Sequence, residues 1–233
     1  MPATKYGSLR KEIIETCLKM NALGINQGKS GNVSARVEEG ILITPSGVAY
    51  ERMQPADIAL LHRDGSYEGP RLPSTEWRFH FDTMRAREDC GAIVHTHAAA
   101  CMTLACLHMD IPSFHYMVAV AGGYDIRCAG YARFGTQELS DNVLAALEGR
   151  TACLMANHGM LALGADLDKA LGLAVEVEHL ANVYWRCLQV TRPAMLTRQQ
   201  MDEVLARIGS YGKQPEDLAP GEALAFEPPP RRG

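Results

Sequence analysis

Paired cysteine spacing is missing from this chain of 233 residues. The seven cysteines (Cys17, Cys90, Cys101, Cys106, Cys128, Cys153 and Cys187) are odd in number and scattered, and most sit in apolar segments such as CMTLAC and TACLM. That excludes a disulfide framework and predicts buried free thiols in a reducing compartment, hence a cytoplasmic protein. A strong charge of either sign is missing too. Lys and Arg total 23 against 27 Asp and Glu, a formal net charge of −4, too mild to point to nucleic acid or an anionic membrane as partner. No apolar run approaches the roughly 20 residues that span a bilayer. The opening residues, MPATKYGSLRKEII, show neither an apolar h-region nor a small-residue cleavage site. The phosphate-binding pattern GxxxxGKS/T is absent, as is a GxGxxG after a strand, so nucleotide binding has no support.

What is present reads as one domain. With 47% hydrophobic and 21% charged residues, the composition is that of an ordinary globular protein with a sizeable core. Helical spacing of apolar residues predicts helices over about Ser8–Met20, Pro73–Arg87, Ala98–His108, Thr136–Leu147, Leu167–Val190 and Thr197–Ile208. Short apolar strands are expected after Asn32, at Gly40–Thr44, Gly91–His97, Ser113–Ala121, Ala152–Ala156 and Met160–Leu163, and DIALLHRDGSYEG reads as a hairpin turning at Asp64-Gly65. With no repeat and no linker, residues 1–215 are expected to form a single α/β domain around a largely antiparallel sheet. Residues 216–233, ending in FEPPPRRG, are expected to be a Pro-rich tail without fixed structure.

His95-Thr96-His97 carries the most chemistry. On a strand, alternate side chains share a face, so both imidazoles point toward one ion. Taken alone, such a pair reads equally well as two satisfied histidines. His158, in Asn157-His158-Gly159, interrupts an apolar segment, and alone it reads as a hydrogen-bonded core histidine. Together the three suit zinc, whose catalytic sites use three protein ligands and keep a position open. Glu76 opens a helix, where a carboxylate is ordinary, yet beside a metal it serves as base or ligand. Three turns rich in Gly and hydroxyl residues (Gly28 to Asn32, Ser46-Gly47 and Ser74-Thr75) offer donors to an oxyanion, although each alone is ordinary turn chemistry. His62, His80, His108, His115 and His179 read as packing or exposed residues.

NQGKSGNVSAR, LITPSG, LPSTEWRFH, VHTHA, PSFHYM, ARFGT and ANHGML, in this order and over about Leu9 to Tyr211, resemble the class II aldolase/adducin family. The resemblance implies a three-layer α/β/α fold with a central, largely antiparallel mixed sheet. It also implies a Zn²⁺-dependent aldolase that reversibly cleaves a ketose 1-phosphate into dihydroxyacetone phosphate and an aldehyde. The ketose would be L-fuculose 1-phosphate or a 5-deoxy- or 5-methylthio-pentulose 1-phosphate. By the same resemblance, His95, His97 and His158 would bind one zinc per subunit, with Glu76 as further ligand and acid/base. Gly28, Gly31, Asn32, Ser46, Gly47, Ser74 and Thr75 would hold phosphate, and Phe134 would shape the aldehyde pocket. Tyr116 and Tyr211 would act in a neighbouring subunit of a homotetramer with interfacial sites. Lys29 departs from the small hydroxyl residue usual at its position. Related pentulose-phosphate 4-epimerases commonly carry Asp where Glu76 stands, so Glu76 favours the aldolase. A methylthioribulose-1-phosphate dehydratase and a non-catalytic adducin-like module are the remaining alternatives.

Overall fold

The structure, a computed structural model, describes residues 5–229. Eight strands form one sheet: β1 (Asn32–Val37), β2 (Gly40–Ile43), β3 (Ala59–His62), β4 (Tyr67–Glu68), β5 (Ala92–Thr96), β6 (Cys128–Ala129), β7 (Ala152–Met155) and β8 (Gly159–Gly164). Their order across the sheet is β4-β3-β2-β1-β5-β8-β7-β6. Every pairing is antiparallel except β6 with β7. Strand alternation sorts the buried side chains onto two faces. Val33, Ala35, Leu42, Leu60, Val94, Leu154 and Ala162 enter one apolar cluster. Ile41, Leu61, Ile93, Cys153, Met155, Leu161 and Leu163 enter the other.

Each face is closed by helices, which makes the three layers. Helices α1 (Gly7–Ala22), α3 (Ala99–Cys106) and α5 (Leu167–Val190) cover the first face, through Ile13, Cys17, Met20, Cys101, Leu104, Ala174 and Val177 among others. On the second face, α2 (Trp77–Ala86) and α4 (Gln137–Ala146) contribute Phe79, Met84, Leu139 and Val143. A sixth helix, α6 (Arg198–Ile208), starts at a Thr197/Gln200 capping box and packs on the segment Tyr116–Ala121. The expected three-layer, largely antiparallel architecture is therefore the one observed. Among the described residues, no helix is long and apolar enough to cross a membrane.

Two local expectations differ. Tyr116–Ala121 is a 3-10 helix and not a strand. Its apolar residues do not alternate: Val118, Ala119 and Ala121 are all buried, and Gly122 at φ 88° ends the turn. Helix α2 begins at Trp77, so Glu76 precedes it instead of lying in its first turn. The Ser74 hydroxyl accepts the Glu76 amide at 3.2 Å, and the Ser74 carbonyl accepts the Trp77 amide at 3.1 Å, which makes Ser74–Glu76 a turn leading into the helix. Strand β6, two residues long, has too little pattern to be read from sequence. Of the C-terminal segment, Lys213 pairs with Glu222 at 2.6 Å, while residues 230–233 lie outside the described residues.

Helix α3 starts just after the His95-Thr96-His97 strand, and its N-terminus is already satisfied. Glu178 of α5 accepts the amides of Ala100 at 2.8 Å and Cys101 at 2.9 Å. That carboxylate occupies the position an anion would take at a helix start, so α3 is not a phosphate site. Glu178→Ala is expected to lower stability by about 1–2 kcal/mol in urea unfolding, with an unchanged denaturant slope. Wild-type stability in this variant would mean that water caps the helix equally well.

Candidate metal centre

Three imidazoles and one carboxylate converge on a point at the second face of the sheet. His95 and His97 come from β5 and its exit, and His158 from the turn between β7 and β8. That turn is shaped for the purpose. Asn157 adopts φ 53°, a left-handed conformation that Asn tolerates better than most residues, and its amide is held by the Ala105 carbonyl at 3.1 Å. Gly159 leaves room, since a Cβ there would meet the Thr96 carbonyl oxygen at 2.4 Å and the His97 and His95 rings at 3.0 and 3.3 Å. The ring centroids form a near-equilateral triangle, His95–His97 5.0 Å, His95–His158 4.9 Å and His97–His158 5.0 Å. One ligand-capable atom from each of Glu76, His95, His97 and His158 lies within 4.8 Å of all the others.

The protonation pattern says what fits between them. His95 Nδ1 lies 2.8 Å from the Met160 carbonyl, which can only accept, so this nitrogen carries the proton and Nε2 presents its lone pair. Nε2 of His95 and Nε2 of His97 are both buried without a hydrogen-bond partner. His95 Nε2 stands 3.3 Å from Glu76 Oε2, and His158 Nε2 stands 2.8 Å from Glu76 Oε1. Burial, together with His95 and His158, lowers the pKa of His97 to about 4, so its ring is neutral and free to ligate. Burial works to raise the Glu76 pKa, but the His95 and His158 rings outweigh it and hold the carboxyl below its usual range. The unpartnered Nε2 atoms of His95 and His97 thus converge with His158 on the Glu76 carboxylate, and a cation fits this donor set as no neutral group would.

Beside the donors opens a cavity of about 360 Å³, lined by Ser30, Thr75, Glu76, His97, Tyr131, Ala132, Phe134, Asn157 and His158. The three Gly/hydroxyl turns meet at this end of the sheet. Lys29 Nζ donates to the Gly47 carbonyl at 2.8 Å, which ties the first turn to the second. The Ser46 amide donates to Leu72 O at 3.0 Å and the Ser74 amide to Thr44 O at 2.9 Å, tying the second to the third. Those two amides are therefore engaged, leaving the hydroxyls of Ser46, Ser74 and Thr75 and the loop amides for an anion. Gly28 and Gly47 take positive φ, 62° and 72°. Gly31 admits no side chain, because a Cβ would meet the His95 carbonyl oxygen at 2.5 Å.

Asn32 is buried, and its amide nitrogen donates to Glu76 Oε2 at 2.8 Å while its oxygen faces His80. Tyr116 and Tyr211, expected to act at a neighbouring subunit's site, lie away from the cavity of their own chain. They face each other across 3.4 Å, hydroxyl to hydroxyl, in a groove beside α6. Phe134 does line it, on a loop packed against Thr75. Tyr131, which no motif singles out, also lines the cavity, and His80, one of the histidines that read as packing or exposed, is fully buried in contact with Asn32. His80 stands four residues after Glu76, and that helical spacing was the available signal.

The neutral rings fix the sign of an acid effect on the metal-free protein. His80, like His97, has its pKa lowered by burial, in its case to about 3, from an ordinary 6.5. Both rings bind protons more weakly folded than unfolded, and Glu76 also loses its advantage when protonated, so all three act in one direction. Folding stability should hold above about pH 6.5 and fall steadily as pH drops toward 4. Chemical unfolding of the metal-free protein across this range checks it, and constant stability would contradict the neutral assignment.

Comparison with known proteins follows the same lines. The profile described as "Class II Aldolase and Adducin N-terminal domain" matches residues 11–185. A 5-methylthioribulose-1-phosphate/5-deoxyribulose-1-phosphate aldolase of Rhodospirillum rubrum is 51% identical over 212 residues, covering 91% of this chain and 96% of that protein. An L-fuculose phosphate aldolase of Escherichia coli is 45% identical over 210 residues, covering 90% of this chain and 98% of that protein. Among solved structures, an L-fuculose 1-phosphate aldolase superposes with a TM-score of 0.83 at 37% identity, covering 85% of this chain and 94% of the other. By fold, motif order and the convergence of Glu76 with three histidines, the chain belongs to the class II aldolase and adducin family.

Proposed function

We propose that this protein is a zinc-dependent aldolase that reversibly cleaves a ketose 1-phosphate into dihydroxyacetone phosphate and an aldehyde. The observation that carries the proposal is the cluster of Glu76, His95, His97 and His158 opening onto the cavity beside it. The 51%-identical relative supports a 5-deoxy- or 5-methylthio-pentulose 1-phosphate as substrate, with L-fuculose 1-phosphate as the second candidate. Tyr131, Ala132 and Phe134 give the cavity an apolar wall suited to a methyl or methylthio end.

In this reading His95, His97 and His158 hold one zinc per subunit, with Glu76 as the further donor. A divalent ion held there supplies Lewis acidity for the negative charge that develops as the carbon–carbon bond breaks. The turns at Gly28–Gly31, Ser46-Gly47 and Ser74-Thr75 grip the phosphate and fix the ketose relative to Glu76. Glu76, with Oε2 held by Asn32 and Oε1 facing His158, would carry a proton from solvent or a substrate hydroxyl to the carbon losing its partner. No Schiff-base lysine is needed.

The exposure of Tyr116 and Tyr211, away from their own cavity, supports a homotetramer in which they reach a neighbour's site. There Tyr116 would accept the proton of the C4 hydroxyl as the C3–C4 bond breaks and the aldehyde carbonyl forms, and would return it to the aldehyde oxygen in the synthesis direction, while Tyr211 lines the same opening. The free thiols, most of them buried, support a cytoplasmic location.

Purified protein is expected to release dihydroxyacetone phosphate from a panel of these ketose phosphates. Release should stop with a chelator and return with zinc, and His97→Ala should lose the metal and at least about 100-fold in kcat/KM. Full activity in metal-free protein would overturn the proposal. Conversion of a pentulose phosphate to its 4-epimer without release of dihydroxyacetone phosphate would replace it with the epimerase.

A further inference from the structure

A line of four side chains runs from the cavity into the closed interior between α2 and the sheet. Glu76 Oε2 accepts the Asn32 amide at 2.8 Å, Asn32 Oδ1 contacts His80 Nε2 at 2.5 Å, and His80 Nδ1 contacts the Ser34 hydroxyl at 2.7 Å. His80 and Ser34 are fully buried, and Asn32 and Glu76 nearly so. Two periodicities make the line possible. Asn32 and Ser34 are alternate residues of β1 and share a face, about 7 Å apart. Glu76 and His80 are four residues apart at the start of α2, one turn or about 6 Å. The helix turn and the strand repeat match closely enough for the two pairs to meet rung by rung.

Direction follows from the chemistry of the groups. An ionised carboxylate only accepts, so the Asn32 amide nitrogen faces Glu76 and its oxygen faces His80. That oxygen also only accepts, so His80 carries its proton on Nε2, and the bare Nδ1 takes the Ser34 hydroxyl proton. Every donor points toward Glu76. Phe79 stacks on the His80 ring with centroids 4.8 Å apart and meets the His95 ring edge-on at 5.4 Å, which fixes both ring planes. On the neighbouring strand, Asn32 is the direct cross-strand partner of His95.

We propose that His80 and Ser34, acting through Asn32, are positioning residues that aim the Glu76 carboxylate at the metal donors. The inference rests on the roles proposed above for Glu76 and the metal. It also assigns Asn32 to orienting Glu76 and leaves phosphate binding to the loop glycines and the hydroxyls.

His80→Leu keeps an apolar side chain of suitable size beside Phe79 but removes the donor to Asn32. His80→Gln restores an N–H, and Ser34→Ala is a milder cut further back with little risk to the fold. The first readout is zinc affinity of each apo-protein by competition with a chromophoric chelator, which involves no substrate. His80→Leu is expected to weaken zinc binding about 10-fold or more, Ser34→Ala severalfold, and His80→Gln to recover most of the loss. In a Glu76→Gln background, His80→Leu should add almost nothing, because its effect passes through Glu76. In turnover, kcat should fall with little change in KM.

Wild-type zinc affinity in His80→Leu would overturn the proposal, as would equal losses in His80→Leu and His80→Gln, or additive losses on top of Glu76→Gln. If no variant cleaves a ketose phosphate, the zinc titration still decides the positioning role, so failure of the aldolase reading is told apart from failure of this one.

Discussion

Nε2 of His95, Nε2 of His97 and the Glu76 carboxylate are electron-pair donors turned toward one another in a pocket that excludes water from most of them. Such an arrangement is unfavourable in the absence of a positive charge, because the two Nε2 lone pairs have left water without gaining a donor. Much of the neighbouring structure serves to keep these donors facing inward all the same. The Met160 carbonyl fixes the His95 tautomer, Gly159 clears space for two rings, and the left-handed Asn157 turns His158 back into the cluster. Asn32, held in turn by His80, keeps Glu76 in place.

The sheet is the scaffold that makes this affordable. His95 lies on a strand flanked on both sides, by Asn32 on β1 and Leu161 on β8, so its backbone has little freedom to relax the crowding. Apolar clusters on both faces lock that strand, and Glu178 locks the helix that follows it. Loops then supply the remainder: Ser30, Thr75 and the Tyr131–Phe134 segment close the cavity beside the donors. A rigid strand carries the groups that must not move, and loops carry those that fit a particular substrate.

Much of this was legible in the sequence because it rests on local periodicity. The HxH spacing of His95 and His97 is a strand property, and Leu167–Val190 showed its helix through the spacing of Leu171, Ala174, Val177 and Ala181. What escaped depended on contacts between segments far apart in the chain. Asn32 sits in a Gly-rich turn that suggests phosphate, and only the β1–β5 register and the approach of α2 turn it toward Glu76. His80 looked like any helix histidine for the same reason. Tyr116–Ala121 misled differently: its apolar run has the composition of a strand, but no neighbouring strand is placed to pair with it, and His115 and Gly122 close it into 3-10 turns.

The central claim is that Glu76 and the three histidines hold one divalent ion through nitrogen and oxygen alone. X-ray absorption at the zinc edge of the reconstituted protein tests it most directly. The account predicts one zinc per chain with only nitrogen and oxygen neighbours at about 2.0–2.2 Å and outer scattering from three imidazole rings. A sulfur shell near about 2.3 Å, or scattering from fewer than three imidazoles, would contradict it.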